Sequence, residues 1–204
     1  IIAVDKPHFL PVMPAGKYLQ ETFLVRLKRK TGIDALTPMH RLDRETAGVM
    51  LFVIKPETRG AYQSLFLHKR VQKEYLAIAP YREDSALPLT RRSRMQVSGH
   101  FMRMQEVAGA PNSETHIELI EHRNGLGRYA LTPVTGKKHQ LRVHMAALGM
   151  PILGDRIYPE YIAEERESFE NPLQLLAREI AFIDPILGCQ RMFQSRKTLS
   201  FPAD

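Results

Sequence analysis

A single cysteine, Cys189, leaves the chain without an internal disulfide and without a second thiolate for a zinc knuckle. Its expected place is in the interior, as a small apolar residue. No apolar run approaches the roughly 20 residues that span a bilayer. The first residues also lack the basic start, apolar middle and small-residue cleavage site of a signal peptide. A cytoplasmic protein without membrane contact is the expectation. Metal-ligand spacing is lacking as well. His139 and His144 miss the i, i+4 spacing of a zinc helix, and no cysteine or acidic residue stands at ligand spacing beside them. No metal and no cofactor are expected. Acidic residues are outnumbered, 22 against 29 Lys and Arg, and the net charge of +7 points to a polyanionic partner. There is no internal repeat, heptad run or low-complexity linker, so a single domain over residues 1–204 is expected, acting as a monomer. The chain opens on Ile1 rather than Met, which leaves room for further residues, or an accessory domain, before it.

What is present is one dense block, His40-Arg41-Leu42-Asp43-Arg44-Glu45-Thr46-Ala47-Gly48, followed at once by Val49-Met50-Leu51-Phe52-Val53-Ile54. An apolar run of that length, closed by Lys55-Pro56, suits a strand covered on both faces. The block is then a loop on a rigid mount. Asp43 lies between Arg41 and Arg44, whose positive charge favours the carboxylate, and such a group can be a nucleophile or a base. The commoner use of an Asp in a polar loop is to cap a turn, with its arginines solvated.

Around this block the periodicities alternate. Residues 1–4 read as a strand, and Pro7, Pro11, Pro14 and Gly16 constrain the loop after it. Lys6, at the strand end, reads equally as a phosphate contact and as a surface lysine. Residues 18–30 carry Leu19, Phe23, Leu24 and Leu27 at helical spacing, with Gly32 as the stop. Residues 56–69 repeat the pattern with Tyr62, Leu65 and Phe66 on one face and Pro56 in the first turn. A strand over 71–79 places Tyr75 on one face with Lys73 and Ala77. Residues 81–94 read as a polar loop ending in the basic cluster Arg91-Arg92-Ser93-Arg94. Strands are expected over 95–107 and 115–121, joined as a hairpin through 109–113, and again over 128–133 after Asn124-Gly125. Such short links favour antiparallel pairing. A helix beginning at Thr135-Gly136 carries His139, Arg142 and Val143 and ends at Gly149. Residues 160–170 read as an acidic, solvated helix, and closing strands over 173–182 and 192–201 flank Asp184-Pro185.

The 40–48 block resembles the signature of RluA-type pseudouridine synthases, His-Arg-Leu-Asp, two variable residues, then Thr-Ser-Gly and an aliphatic run. Ala47 replaces the serine. Further matching segments follow in the family's order: Val4-Asp5-Lys6-Pro7, Lys73-Glu74-Tyr75-Leu76-Ala77, Thr135-Gly136-Lys137-Lys138-His139-Gln140-Leu141-Arg142-Val143-His144 with Gly154-Asp155, and residues 173–185. The departures are Lys137-Lys138 for the usual Arg-Thr and Leu176 where the family places His. The resemblance implies an α+β fold, a mostly antiparallel mixed central sheet flanked by helices with the site in a cleft across its middle. It implies an enzyme that isomerises uridine in structured RNA, ribosomal or transfer, without a cofactor. It also gives Lys6 a structural role near the site. Asp43 is then the catalytic carboxylate, Arg142 its ion-pair partner, Tyr75 the residue against the flipped uracil, and Leu175 part of the pocket. RNA contacts fall to His40, Arg41, Arg44, Lys138 and His139, and to the basic loop of Arg91, Arg92 and Arg94.

Two other classes compete on residues alone. A basic RNA-binding domain without catalysis fits the composition as well, but gains nothing from a carboxylate set among arginines. A glycosidase or nucleosidase would pair Asp43 with Glu45, which alternation along an extended segment places on one face.

Overall fold

The apolar run after Gly48 is a strand with every residue buried. The computed structural model describes residues 1–14, 16, 18–100, 102–162 and 169–202. In chain order these form β1 (Ile2–Lys6), α1 (Phe23–Thr31), β2 (Thr37–Pro38), β3 (Ala47–Val53), a 3-10 turn (Pro56–Thr58) leading into α2 (Arg59–Leu67), and β4 (Val71–Pro80). Then come β5 (Leu89–Val97), β6 (Met104–Val107), β7 (Ser113–Arg123), β8 (Leu126–Pro133), α3 (Gln140–Ala147), β9 (Leu175–Ile183) and β10 (Gln190–Gln194). Strands dominate and helices are few, as the α+β expectation required. The chain divides into two compact units, one of Ile1–Lys73 with Ala177–Thr198 and the other of Glu74–Leu176 with Leu199–Asp204.

In the first unit β3 lies between β1 and β9, and β10 folds back antiparallel on β9. Alternate residues of β3 serve opposite faces. Val49, Leu51 and Val53 pack with Tyr62 and Leu65 of α2 and with Ile180 and Phe182 of β9. Phe52 meets the edge of Phe23 from α1, ring centroids 5.7 Å apart. Two helices therefore cover the strand, and each large side chain so buried contributes roughly 1.5–3 kcal/mol. Gly48 starts the run at φ +117°, where a Cβ would lie 2.2 Å from the Ala177 carbonyl oxygen, so only glycine fits this approach of β3 to β9. α1 begins at Phe23, later than expected, because the Thr22 hydroxyl accepts from Val25 N and caps the helix there; Leu19 is left exposed. Gly32 ends it in the left-handed conformation, as expected. Cys189 is exposed, not buried, because it closes the β9–β10 turn, its carbonyl accepting from Asp184 N. The closing strand over 192–201 is shorter and earlier, as β10.

In the second unit the strand order is β4-β8-β7-β5-β6. β7 and β8 form the expected antiparallel hairpin, turned by Asn124 and Gly125 at φ 51° and 74°. The stretch read as a polar loop over 81–94 ends instead inside β5. Residues 95–107 are not one strand but the end of β5, a turn, and β6 returning antiparallel, Met95 opposite Glu106. β7 then pairs with the preceding stretch of the same strand, Ser93 opposite Ser113, so 109–113 joins two segments that follow one another along β5 and is not a hairpin turn. The physical reason is that the apolar signal of β5 is thin: only Met95 is buried along it. α3 starts at Gln140, not at Thr135, because His139 sits at φ 55° and a right-handed helix cannot pass through it. Its Leu141 and Met145 join Ala77, Tyr129, Leu131, Ile152 and Leu175 in one core. Of the acidic segment 160–170, residues 163–168 lie outside the described residues.

Candidate active site

The 40–48 block is the tip of the β2–β3 hairpin. β2 pairs antiparallel with the end of β3, Thr37 opposite Val53, and Met39 N donates to Leu51 O (2.9 Å). One step further the ladder is continued by a side chain: Leu51 N donates to His40 Nε2 (3.3 Å), while the imidazole stacks on Phe66 with centroids 5.1 Å apart. Burial, with Lys73 as a lesser cause, lowers the His40 pKa to about 4, so the ring is the neutral acceptor this bond needs. The tip then turns, Thr46 N donating to Asp43 O (3.2 Å). Residues 43–46 are therefore not an extended segment, and the alternation that would place Asp43 and Glu45 on one face does not apply. Glu45 instead faces its neighbour, 3.6 Å from the Arg44 guanidinium.

Lys6 holds this turn from below. It is completely buried, which removes both the phosphate-contact and the surface readings and agrees with a structural role. Its Nζ donates to the carbonyls of Pro7 (2.8 Å), Leu10 (2.8 Å) and Arg44 (2.9 Å). Burial draws its pKa down to about 7, while the carboxylates of Glu45 and Asp43 pull it back up. Three acceptors around one nitrogen use all the protons of an ammonium, so the cation is the form this pocket is built for. His8 Nδ1 donates to the next carbonyl, Glu45 O (2.6 Å). With Arg44 O and Glu45 O both held, Asp43 rides on a fixed backbone, half-buried. Arg41 is exposed, and the Arg44 guanidinium lies over the Tyr18 ring, 5.3 Å from its centroid.

The second unit carries the other expected residues. Tyr75 lies on β4 opposite Leu131 of β8, half-buried, and packs against the core that contains Leu175 and Leu141 of α3. Arg142 is almost wholly buried and makes a bidentate ion pair with Asp155, Nε to Oδ2 at 2.8 Å and Nη2 to Oδ1 at 2.7 Å. Asp155 Oδ1 also accepts from Ile157 N (2.9 Å) and Tyr158 N (3.1 Å), and Gly154 before it, at φ +77°, passes so close to Pro172 O that a Cβ would clash. Asp155 has no assigned role in the sequence reading. Its signal was the Gly-Asp pair after the helix, but a partner 13 residues away from Arg142 is visible only once the turn is folded.

The RNA-contact candidates here fare unequally. Lys138 is exposed. His139 is buried with Nδ1 2.9 Å from Tyr158 Oη, which itself accepts from Met104 N (2.8 Å). Arg91, Arg92 and Arg94 stand on β5 and not on a loop. Arg91 is paired with Glu106 of β6, and Arg92 lies 3.1 Å from Glu114 of β7. Neighbouring strands thus supply carboxylates to two members of the cluster. Arg94 is exposed, its side chain laid along Gly109.

Residues 1–147 match the family model described as RNA pseudouridylate synthase. The chain is 32% identical to the dual-specificity RNA pseudouridine synthase RluA of Pasteurella multocida over 195 residues, covering 91% of this chain and 84% of that protein. It is 30% identical to human pseudouridylate synthase RPUSD2 over 163 residues, 78% of this chain but only 29% of the longer human protein. Among solved structures, human RNA pseudouridylate synthase domain containing 4 superposes with a TM-score of 0.69 at 25% identity, over 97% of this chain and 85% of that one.

Proposed function

This chain belongs to the RNA pseudouridylate synthase family, and from that premise we propose that Asp43 is the carboxylate that acts on the ribose of the target uridine. The reaction is an isomerisation. The bond from N1 to C1′ breaks, the uracil turns, C5 joins the same C1′, and the proton on C5 leaves as N1 gains one. Nothing is oxidised and no group is donated. Asp43 serves either as nucleophile on C1′ or as base in a glycal-type elimination; both begin with the same anion beside the sugar.

A stacked uridine is out of reach, so the nucleotide is extruded at a cost of roughly a few kcal/mol and held on an aromatic ring. We assign the ring to Tyr75 and the lining of the pocket to Leu175. Arg41, exposed at the tip, fills the gap left in the RNA, and Arg44, Lys138 and Arg94 meet phosphates. Arg142, the arginine of the matching helix segment, is a further site residue in this reading, its guanidinium held in place by Asp155. The substrate we propose is structured RNA, ribosomal or transfer.

The observation that carries the assignment of Asp43 is the double hold on the backbone beside it, Lys6 to Arg44 O and His8 to Glu45 O. A solvated turn cap needs no such mount. The test uses RNA labelled with tritium at uridine C5, prepared from cells that lack the gene. The enzyme releases tritium to water, and Asp43→Asn releases none while keeping its circular dichroism and RNA affinity. Wild-type protein that binds without release is a binding module, and release of free uracil marks a nucleosidase. Mapping the new pseudouridines identifies the RNA.

A further inference from the structure

In the first unit, His8 holds the tip with only one of its two ring nitrogens. Nδ1 is spent on the Glu45 carbonyl (2.6 Å), and because a carbonyl only accepts, that nitrogen carries a proton. The described residues give Nε2 no hydrogen-bond partner, and the ring is partly exposed. Burial lowers the pKa of His8, the bond to Glu45 O works against this, and Lys6 and Lys197, the charged side chains facing the ring, add to the lowering. At neutral pH the imidazole is therefore uncharged, and Nε2 presents a bare lone pair. The loop that carries it is fixed. Phe9 takes φ 62°, left-handed and uncommon for so bulky a residue, with its ring centroid 6.1 Å from the imidazole, and Leu10 O beyond it is bound by Lys6.

A cation is fastened beside this acceptor. Ser195 Oγ donates to Asp5 Oδ1 (2.5 Å) and Arg196 N to Asp5 Oδ2 (2.9 Å), so the end of β1, just before His8, ties down the segment that follows β10. Lys197 N turns back onto Ser195 Oγ (3.1 Å). The exposed Lys197 side chain is thereby kept near the loop, with its charge toward the His8 ring.

We propose that His8 and Lys197 form a ribose–phosphate site beside the tip, Nε2 accepting from the 2′-hydroxyl of a nucleotide that flanks the target uridine and the Lys197 ammonium meeting the phosphate on that sugar. This rests on the reading that Asp43 meets the target ribose, because Glu45 and Asp43 belong to one turn, closed by Thr46 N on Asp43 O (3.2 Å). A lone pair recognises only a donor. Along the sugar-phosphate backbone of RNA the 2′-hydroxyl is that donor, since phosphate and ring oxygens only accept. The hydroxyl and the following phosphate stand on neighbouring carbons of one ribose, so an acceptor with a cation beside it matches both. DNA lacks the hydroxyl, and the site therefore selects RNA at the strand next to the reaction.

The test is a double-mutant cycle between protein and RNA, read as dissociation constants for a synthetic RNA that carries the mapped uridine. The full chain with Asp43→Asn is the parent, so that turnover does not intervene. A 2′-deoxy nucleotide on one side of the target should weaken binding roughly 3- to 10-fold, the scale of one hydrogen bond. A 2′-fluoro nucleotide there, which keeps the RNA sugar shape but donates nothing, should lose as much. His8→Asn keeps a donor where Nδ1 stood and leaves nothing where Nε2 stood; it should weaken binding by the same factor and abolish the sensitivity to either substitution. Lys197→Gln should lower the slope of log affinity against log salt by roughly 0.7, one phosphate contact. Indifference of the parent to both flanking 2′ positions, losses in His8→Asn that add to those of the 2′ substitution, or an unchanged salt slope in Lys197→Gln would each overturn the proposal. If His8→Asn does not fold, the 2′ substitutions and Lys197→Gln decide. Tritium release keeps the two readings apart: turnover by Asp43→Asn removes the role of Asp43 and this inference with it, whereas an inactive Asp43→Asn beside additive losses removes this inference alone.

Discussion

Lys6 Nζ lies 2.9 Å from the carbonyl oxygen of Arg44, the residue next to Asp43. A buried ammonium at the end of β1 thus bears on the backbone of the 40–48 tip, and its charge faces Asp43 and Glu45. Lys6→Met keeps the aliphatic stem but strips the donor from three carbonyls, a cost on the order of 3 kcal/mol or more. The melting temperature should fall, and single-turnover rate should fall further than lost folding accounts for, because the Asp43 turn is no longer held. Thermal melts beside turnover by the folded fraction check this; an unchanged rate per folded molecule would detach Lys6 from the site.

Gly48 should tolerate nothing larger. Alanine there combines a left-handed φ with a Cβ at 2.2 Å from Ala177 O, and both are backbone constraints that no rotamer relieves. Strain of about 1–3 kcal/mol and a clash of similar size predict a drop of several kcal/mol, read as a melting temperature lower by roughly ten degrees or as loss of soluble protein. Gly60→Ala is the control. It sits in α2 with open space around it, and should stabilise by about 0.5–1 kcal/mol.

The role proposed for Tyr75 has two separable parts. If its ring is the stacking platform, Tyr75→Phe keeps RNA affinity, whereas Tyr75→Leu loses roughly 1–3 kcal/mol of base stacking. If its hydroxyl also relays the proton leaving C5, Tyr75→Phe binds normally but stalls before tritium release. We expect both outcomes. Full tritium release by Tyr75→Phe would strike out the hydroxyl, and full activity of Tyr75→Leu would remove the residue from the site.

Acid should weaken the fold before the carboxylates titrate. The pKa values of His40 and His144 are each lowered from 6.5 to about 4, by burial first. Between these limits the unfolded chain binds more protons than the folded one, so stability is complete above pH 6.5 and is lost progressively toward pH 4, by roughly 3 kcal/mol per group. Urea midpoints at pH 7 and pH 4.5 measure the loss. His144→Gln should flatten part of the slope, and an equal slope in that variant would contradict the assignment.

Much of this protein follows from neighbours along the chain. The density of charge around Asp43, the apolar run that makes β3, the Gly32 stop of α1 and the Asn124-Gly125 turn are local patterns, and local patterns are what a linear reading resolves. The partners of the polar residues are another matter. Arg91 and Arg92 read as a free basic loop until β6 and β7 bring carboxylates beside them, and His139 reads as an RNA contact until Tyr158 closes over it. Lys6 meets Arg44 across 38 residues and His144 meets Ser93 across 51. The sequence alone determined that a carboxylate would stand in a loop leading into a buried strand, in a basic chain. Only the tertiary structure decided which of its charges are paired with one another, because desolvation and hydrogen bonding depend on distance in space and not along the chain.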